Sequence, residues 1–127
     1  MLSVFSLKKA ERILKRAEFQ RLSRQGRRIH RDHFIVIYCP NSLGELRLGV
    51  TVSKKVGHAA TRNRIKRLVR ERFRLSKAVF DGAYDINIIA KTGAAELSSQ
   101  EITQTLEGVF REVSKDYKHK AIAVGTH

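Results

Sequence analysis

Hydrophobic and polar residues follow a helical period between Thr61 and Lys77. One side of this segment is apolar and comprises Ile65, Leu68, Val69 and Phe73. The opposite side is cationic and comprises Lys66, Arg67, Arg70, Arg74 and Lys77. Apolar residues that recur every three to four positions are typical of a helix with one face on a core. The segment therefore predicts an amphipathic helix, with the Thr61 hydroxyl as its N-cap.

Four further stretches have the composition or the alternation of β-strands. His33 to Tyr38 is rich in β-branched and aromatic residues, and Arg28 to Arg31 predicts a short strand before it. Leu46 to Ser53 alternates between apolar and polar residues, so it predicts a half-buried strand. Residues 40–44 have turn chemistry, which predicts that the strands on either side pair in antiparallel fashion. Asp85 to Lys91 predicts a buried strand.

Two other helices complete the pattern. Ala17 to Gln25 predicts a short helix that ends at Gly26. Ser98 and Glu101 have the spacing of a capping box, which marks the start of a helix. The apolar stripe that follows predicts that this last helix continues to about Tyr117. It comprises Ile102, Leu106, Val109, Phe110, Val113 and Tyr117.

The length and composition of the chain suit one folded domain. It has 127 residues, of which 42% are hydrophobic, and no repeat or linker divides residues 1–127. Residues 1–12 and 118–127 are expected to be flexible. The order of the elements predicts the α+β class, with helices packed on a small mixed sheet. The basic helix is expected to cross between two strands of that sheet.

The charge distribution points to an anionic partner. Lys plus Arg number 26 against 12 Asp plus Glu, which gives a net charge of +14. The positive residues of the basic helix begin in its first turn, where they oppose the helix dipole. A solvated charged face is the alternative interpretation, but such faces mix signs, and Glu71 is the only acid in this helix. Phosphate groups of a nucleic acid are therefore the expected ligand.

Several classes of function are disfavoured. Cys39 is the sole cysteine, so neither an intramolecular disulfide nor a thiolate metal cluster can form. No window approaches the roughly 18 apolar residues of a membrane span, and no secretory signal is evident, so a cytoplasmic location is expected. The histidines lack metal-ligand spacing, the carboxylates are not clustered, and no phosphate-binding glycine loop is present. The sequence therefore predicts a binding protein without a catalytic centre of its own.

Two consecutive segments carry a family resemblance. Residues 62–73 read Arg-Asn-Arg-Ile-Lys-Arg-Leu-Val-Arg-Glu-Arg-Phe and resemble the RNR motif of the bacterial ribonuclease P protein subunit. Residues 46–57 read Leu-Arg-Leu-Gly-Val-Thr-Val-Ser-Lys-Lys-Val-Gly and are similar to the segment that precedes this motif in the family. The resemblance extends over residues 13–117.

This resemblance implies a fold and an activity. The fold would be a single-domain α-β sandwich in the order αβββαβα, with a four-stranded mixed sheet. The basic helix would make a left-handed crossover, against the right-handed rule for most such connections. The activity would be endonucleolytic removal of the 5′ leader from precursor tRNA by a ribonucleoprotein enzyme. The RNA subunit would hold the catalytic centre and its Mg²⁺ ions, and a monomeric protein subunit would bind that RNA and the leader.

The matching positions imply two sets of binding residues and no catalytic or metal-binding residue. The set that would contact or adjoin the RNA subunit comprises Arg62, Asn63, Arg64, Lys66, Arg67 and Arg70, with Lys54 and Lys55 before them. Their role would be charge neutralisation, while Asn63 would donate a directed hydrogen bond or cap the helix. The leader-binding cleft would comprise Phe19, Ile35, Ile37 and Ile89.

The cleft departs from the family pattern at two positions. Ser23 occupies a site that is often aromatic, and Ile37 occupies a site where some members have Tyr. Leader binding would then rely on one stacking residue, Phe19, together with apolar packing and backbone charge. Phe19 and Leu22 lie three residues apart on one helix face, so a purely structural role in the core remains open for both.

Two other classes of function share part of this pattern. A ribosomal or other structural RNA-binding protein would suit the charge and the small α+β architecture equally well. A helix-turn-helix DNA-binding protein is less suitable, because strands flank the basic helix where that motif has a short turn and a partner helix.

Overall fold

The computed structural model describes residues 7–80 and 82–125, with the side chains of the last helix described through Lys115. The α+β class and the predicted order of elements are confirmed. Helices α1, α2 and α3 span Arg16–Gln25, Ala59–Ser76 and Ser99–Gly125, and strands β1 to β4 span Arg27–Arg31, Phe34–Pro40, Arg47–Thr51 and Tyr84–Ala90. Short 3-10 turns lie in the connections, at Lys9–Glu11, Lys54–Val56, Lys77–Val79 and Thr92–Glu96.

The strands form one mixed sheet in the spatial order β1-β2-β4-β3. β1 pairs antiparallel with β2, β2 pairs antiparallel with β4, and β3 pairs parallel with β4. Because α2 lies between β3 and β4 in the chain, it is the crossover between two neighbouring parallel strands. A basic helix that crosses between strands was the prediction from sequence, and the left-handed sense of the crossover stays a prediction from the resemblance.

The predicted antiparallel pairing between β2 and β3 is wrong. β2 is paired on both edges, with β1 and with β4, so β3 lies at the edge of the sheet beside β4. The turn residues 40–44 indicated a hairpin between β2 and β3. The strand order depends instead on which strand is buried on both faces. β4 is buried at every position except Ile89, and a strand covered on both faces belongs in the sheet interior.

One face of the sheet and the apolar sides of α2 and α3 enclose the main core. The two helices contribute Ile65, Leu68, Val69, Phe73, Ile102, Leu106, Val109, Phe110 and Val113. These are the stripes predicted from the helical period, apart from Tyr117, whose side chain lies outside the described residues. The rings of Phe73 and Phe110 meet edge to face at a centroid distance of 5.9 Å, which joins the two helices directly.

Helix α2 begins at Ala59, with His58 in the N-cap position, so the prediction that Thr61 caps this helix is wrong. The N–H of Arg62 donates to the His58 carbonyl over 3.0 Å, which places Thr61 inside the first turn. Ala59 and Ala60 are strong helix formers and extend the helix towards the N-terminus. The capping box predicted for α3 is confirmed, because Ser98 and Glu101 exchange hydrogen bonds of 3.0 and 3.1 Å.

Each of the two segments predicted to be flexible contains residues that belong to the folded structure. Leu7 belongs to the main core and exposes 4% of its surface, so the packed fold begins within residues 1–12. Helix α3 runs to Gly125 rather than to about Tyr117, so it extends into residues 118–127. The flexibility of the two segments stays a prediction.

Helix α1 packs on the other face of the sheet, over a smaller cluster of Ile13, Leu22 and Ile37. It ends at Gly26 as predicted, where the glycine N–H donates to the Leu22 carbonyl over 2.7 Å. The φ of Gly26 is −77°, so a left-handed conformation is not the reason for glycine here. A Cβ at Gly26 would lie 2.6 Å from Cγ2 of Ile37. The missing side chain therefore lets α1 approach β2 closely.

A buried ionic network joins α1 to β3 and β4. Arg47 Nε and Nη2 donate to the two carboxylate oxygens of Asp85 over 2.8 and 2.7 Å, and Nη1 donates to Glu18 over 2.7 Å. Asn41 donates to Asp85 over 2.8 Å. The hydrogen bond from Arg47 lowers the pKa of Glu18, and the hydrogen bond to Asp85 raises the pKa of Arg47. Arg47 exposes only 8% of its surface, so the polar side of β3, predicted to be exposed, is covered at Arg47 and Gly49 and is exposed at Thr51.

We expect Arg47→Met to lower the free energy of unfolding by about 3–5 kcal/mol, because Asp85 would keep a buried charge without its main cation. Denaturant unfolding followed by circular dichroism measures this change. Arg21→Met is the matched control, because Arg21 also approaches Asp85, at 3.5 Å, but its side chain is 53% exposed. Exposed ion pairs contribute about 0–1 kcal/mol, so equal losses in the two variants would contradict the prediction.

Candidate RNA-binding surface

The residues predicted to contact RNA lie at the start of α2 and along its outer side. Asn63, Arg67 and Arg70 are exposed and form one stripe, because they follow one another at intervals of four and three residues. Lys66 is half-buried beside them. We call the full predicted set the cationic surface; it comprises Lys54, Lys55, Arg62, Asn63, Arg64, Lys66, Arg67 and Arg70.

Two arginines of the cationic surface are partly held by the protein itself. Arg62 Nε donates to the carbonyl of Gly57 over 3.2 Å. Arg64 Nη2 donates to the carbonyl of Leu97 over 2.9 Å and to Ser99 Oγ over 3.3 Å. These bonds fasten the start of α2 to the segments that precede α2 and α3. A guanidinium has five N–H donors, so each arginine keeps donors for an external anion.

The positive charge of this surface is not balanced by acids among the described residues. In the part of the chain that the structure describes, none of its residues forms an ion pair with an acid. Arg72, on another side of α2, contrasts with them because it pairs with Glu107 on α3 over 2.8 Å. The first turn of α2 has no acidic residue, although acids are the residues that favour a helix N-terminus. Such a surface favours a polyanion as its ligand.

Lys54 and Lys55 extend the cationic surface along one edge of the sheet. Both are exposed in the short turn between β3 and α2. Because β3 and β4 are parallel, their carboxyl ends lie together at the edge of the sheet that the strand ends form. There Thr51 is the partner of Ile89. The start of α2 therefore adjoins the ends of these two strands.

A groove of about 310 Å³ lies between α1 and the sheet and reaches this edge. Its lining comprises Arg16, Phe19, Gln20, Ser23, Ile37, Thr51, Asn87 and Ile89. Three of the four predicted cleft residues, Phe19, Ile37 and Ile89, are thus brought together. Ile35 pairs with Ile89 in the sheet but does not line the groove. Ile37 exposes only 2% of its surface, so its contacts are mainly with the underside of α1.

The ring of Phe19 forms one wall of the groove and lies directly on β3. A Cβ added to Gly49 would lie 2.5 Å from Cε1 and 2.8 Å from Cζ of Phe19. Phe19 is half-buried, so part of its ring remains accessible, whereas Leu22 exposes 3% of its surface. The sequence left a purely structural role open for both residues. In the structure Leu22 belongs to the core, whereas Phe19 lines the groove.

Two polar residues that line the groove, Thr51 and Asn87, were not predicted from the sequence. Thr51 Oγ1 donates to Asn87 Oδ1 over 3.1 Å. Ser23 accepts hydrogen bonds from Arg28 at its carbonyl and hydroxyl oxygens. Asn87 did offer a signal, because it interrupts the apolar run of a strand that was predicted to be buried.

The described side chains offer binding groups rather than a metal centre. Among them, no three His, Cys, Asp or Glu residues lie close enough together to hold a metal ion. A bilayer-spanning helix is likewise absent from the described part of the chain. The groups that converge at the sheet edge are cations, an aromatic ring and an amide, which are the groups that bind phosphates and unpaired bases.

These features define a class of small, basic α+β proteins in which unpaired cations adjoin an aromatic groove. A family model described as Ribonuclease P matches residues 7–114. The ribonuclease P protein component of Desulforapulum autotrophicum is 44% identical over 109 residues, which cover 86% of this chain and 93% of that protein. The corresponding protein of Staphylococcus aureus is 39% identical over 116 residues, which cover 91% and 97% of the two chains.

Solved structures agree with the sequence comparison. The RNase P protein of Staphylococcus aureus superposes with a TM-score of 0.78 at 40% identity, covering 83% of this chain and 96% of that one. The RNase P protein of Thermotoga maritima gives a TM-score of 0.73 at 29% identity, with coverage of 80% and 96%. The chain belongs to the ribonuclease P protein component family, whose proteins are parts of a ribonucleoprotein nuclease in tRNA processing.

We expect Arg67→Ala to weaken binding of the ribonuclease P RNA and to reduce the slope of log K against log salt by about one unit. Arg67 is exposed and pairs with no acid among the described residues, so its replacement should remove a phosphate contact without disturbing the core. Filter binding over a range of salt concentrations measures the slope. Arg72→Ala is the control, because Arg72 is paired with Glu107. An unchanged slope in Arg67→Ala would place this side chain away from the phosphates.

Proposed function

We propose that this chain is the protein subunit of a ribonuclease P holoenzyme that removes the 5′ leader from precursor tRNA. One protein monomer binds one catalytic RNA in the cytoplasm and also binds the leader of the substrate. The observation that carries this proposal is the adjacency of the cationic surface and the groove at one edge of the sheet. RNA fits both features, because its backbone is anionic and its unpaired bases stack on aromatic rings.

In this proposal the cationic surface neutralises phosphates of the RNA subunit near the reacting bond. Arginine can grip a phosphate through two parallel N–H donors, whereas lysine acts as a point charge. Arg62 and Arg64 are already oriented by hydrogen bonds to backbone carbonyls, so they lose less side-chain freedom on binding. Asn63 is exposed between them and donates a directed hydrogen bond, because the N-cap position that was its alternative belongs to His58.

The groove holds the single-stranded leader. Stacking of one base on Phe19 contributes about 1–3 kcal/mol to binding. Ile89 and Ile37 provide apolar contact on the floor, and Arg16 in the lining supplies a cation for the leader backbone. Ser23 is engaged by Arg28 and presents no ring, so stacking in this chain falls to Phe19.

The RNA subunit supplies the catalytic centre and holds the Mg²⁺ ions. Mg²⁺ prefers oxygen ligands and is commonly bound through phosphates together with its own waters. The donor set of the described side chains offers no comparable cluster of carboxylates. The protein therefore contributes binding, positioning and charge neutralisation, which lower the Mg²⁺ concentration that the RNA needs.

Reconstitution tests this function. We expect the purified protein alone to leave precursor tRNA intact, and we expect addition of the cognate RNA to restore cleavage at the mature 5′ end at low Mg²⁺. An unrelated structured RNA of similar length is the control. Cleavage by the protein alone would contradict the proposal. Co-sedimentation with ribosomal particles, without any effect on tRNA ends, would favour a structural RNA-binding role.

We expect Gly49→Ala to weaken binding of precursor tRNA to the reconstituted holoenzyme by about tenfold, the order of a lost stacking contact. The new Cβ would displace the Phe19 ring without removing it from the chain. Phe19→Ala should cause at least as large a loss, measured as an equilibrium dissociation constant. Gly108→Ala is the matched control, because the space around Gly108 is open. An equal loss of affinity for mature tRNA, which has no leader, would return Phe19 to a purely structural role.

A further inference from the structure

Asn87 is a buried amide in the middle of an apolar strand. It exposes 6% of its surface, while Ile86 and Ile88 on either side of it are fully buried. Across the sheet Asn87 pairs with Ile37 on β2 and with Gly49 on β3. Asparagine is depleted in strands, and a buried polar group with unmet hydrogen bonds lowers stability. Stability alone would favour a β-branched apolar residue here, so the amide needs a functional explanation.

The hydrogen-bonding capacity of this amide is only partly used within the described part of the chain. Asn87 Oδ1 accepts a hydrogen bond from Thr51 Oγ1 over 3.1 Å. A primary amide has two N–H donors and two acceptor lone pairs. Whichever way round the amide lies, one bond with Thr51 leaves at least one donor and one acceptor. Both residues line the groove, so this remaining capacity is available to a molecule bound there.

The aromatic wall of the groove lies next to the same amide. Gly49 is the strand partner of Asn87 and lies beneath the Phe19 ring. A Cβ at Gly49 would lie 2.5 Å from Cε1 of Phe19 and 3.3 Å from Oδ1 of Asn87. The ring and the amide are therefore both within reach of one nucleobase. Stacking on a face combined with hydrogen bonds to an edge is how proteins recognise unpaired bases.

We propose that Asn87, oriented by Thr51, recognises the hydrogen-bonding edge of one leader base that stacks on Phe19. This inference rests on the proposed binding of the leader in the groove and adds base selection to it. Phosphate oxygens only accept hydrogen bonds, whereas a base edge presents donors and acceptors side by side. The remaining donor and acceptor of the amide therefore recognise a base in preference to the backbone. The consequence is a preference among the four bases at one position of the leader.

A purely structural role for Asn87 has different consequences. If the amide only links β4 to β3 through Thr51, Asn87→Leu would lower the thermal stability and would affect all leaders equally. If the amide recognises a base, Asn87→Leu removes a polar group that is only partly hydrogen-bonded. The melting temperature would then stay the same or rise, while the preference among leader bases would be lost.

The experiment compares holoenzymes reconstituted from the cognate RNA and either wild-type, Asn87→Leu or Thr51→Val protein. The substrates are precursor tRNAs in which each leader base in turn is changed to the other three, and the dissociation constant of each is measured. We expect wild type to discriminate by about tenfold at one leader position, as one base-edge contact does, and both variants to lose most of that discrimination. Thr103→Val is the matched control, because it removes a hydroxyl from α3, outside the groove.

Two results would overturn this inference. One is an unchanged ranking of leader bases in Asn87→Leu, and the other is equal binding of all four bases at every leader position by wild type. If the groove does not bind the leader at all, the wild-type holoenzyme would bind precursor and mature tRNA equally. This result distinguishes failure of the proposed function from failure of this inference. If Asn87→Leu does not fold, Thr51→Val decides the question, since Thr51 is exposed and its replacement leaves the core intact.

Discussion

The arrangement of this protein depends on the ion pairs that the buried guanidinium of Arg47 forms. From its place on β3 it binds Asp85 of β4 and Glu18 of α1, so one side chain joins a helix to two strands. A buried ionic network is stable only when every charge keeps its partner, and this condition holds α1 in one position over the sheet. The groove lies between α1, in this position, and the sheet, with Phe19 in its lining.

The two sides of α2 follow opposite physical requirements. Its apolar side is buried against the sheet and α3, and this burial stabilises the fold. Its outer side concentrates positive charges whose mutual repulsion disfavours the isolated protein. The core offsets that repulsion during folding, and a bound polyanion would relieve it. The same helix therefore couples the stability of the protein to the binding of its partner.

The groove shows how family membership and features of one chain combine. Gly26 and Gly49 allow α1 and the Phe19 ring to lie close to the sheet, which gives the groove its shape. Ser23 and Asn87 set its chemistry, because Ser23 presents no aromatic ring and Asn87 places an amide on an apolar floor. The fold is that of the family, and these side chains give the groove of this chain its shape and its polar groups.

The sequence by itself determined the helices, the strands, the α+β class and the family, because hydrophobic periodicity and the RNR run are properties of contiguous residues. It also identified both faces of α2, since a helix fixes which of its residues share a side. Strand order was beyond it, because the separation of β3 from β2 depends on which strand is buried on both faces. The burial of Arg47 and the meeting of Phe19, Thr51 and Asn87 were decided only by the tertiary structure. Each of these contacts joins residues from elements that are distant in the chain, and local patterns carry no information about which distant elements pack together.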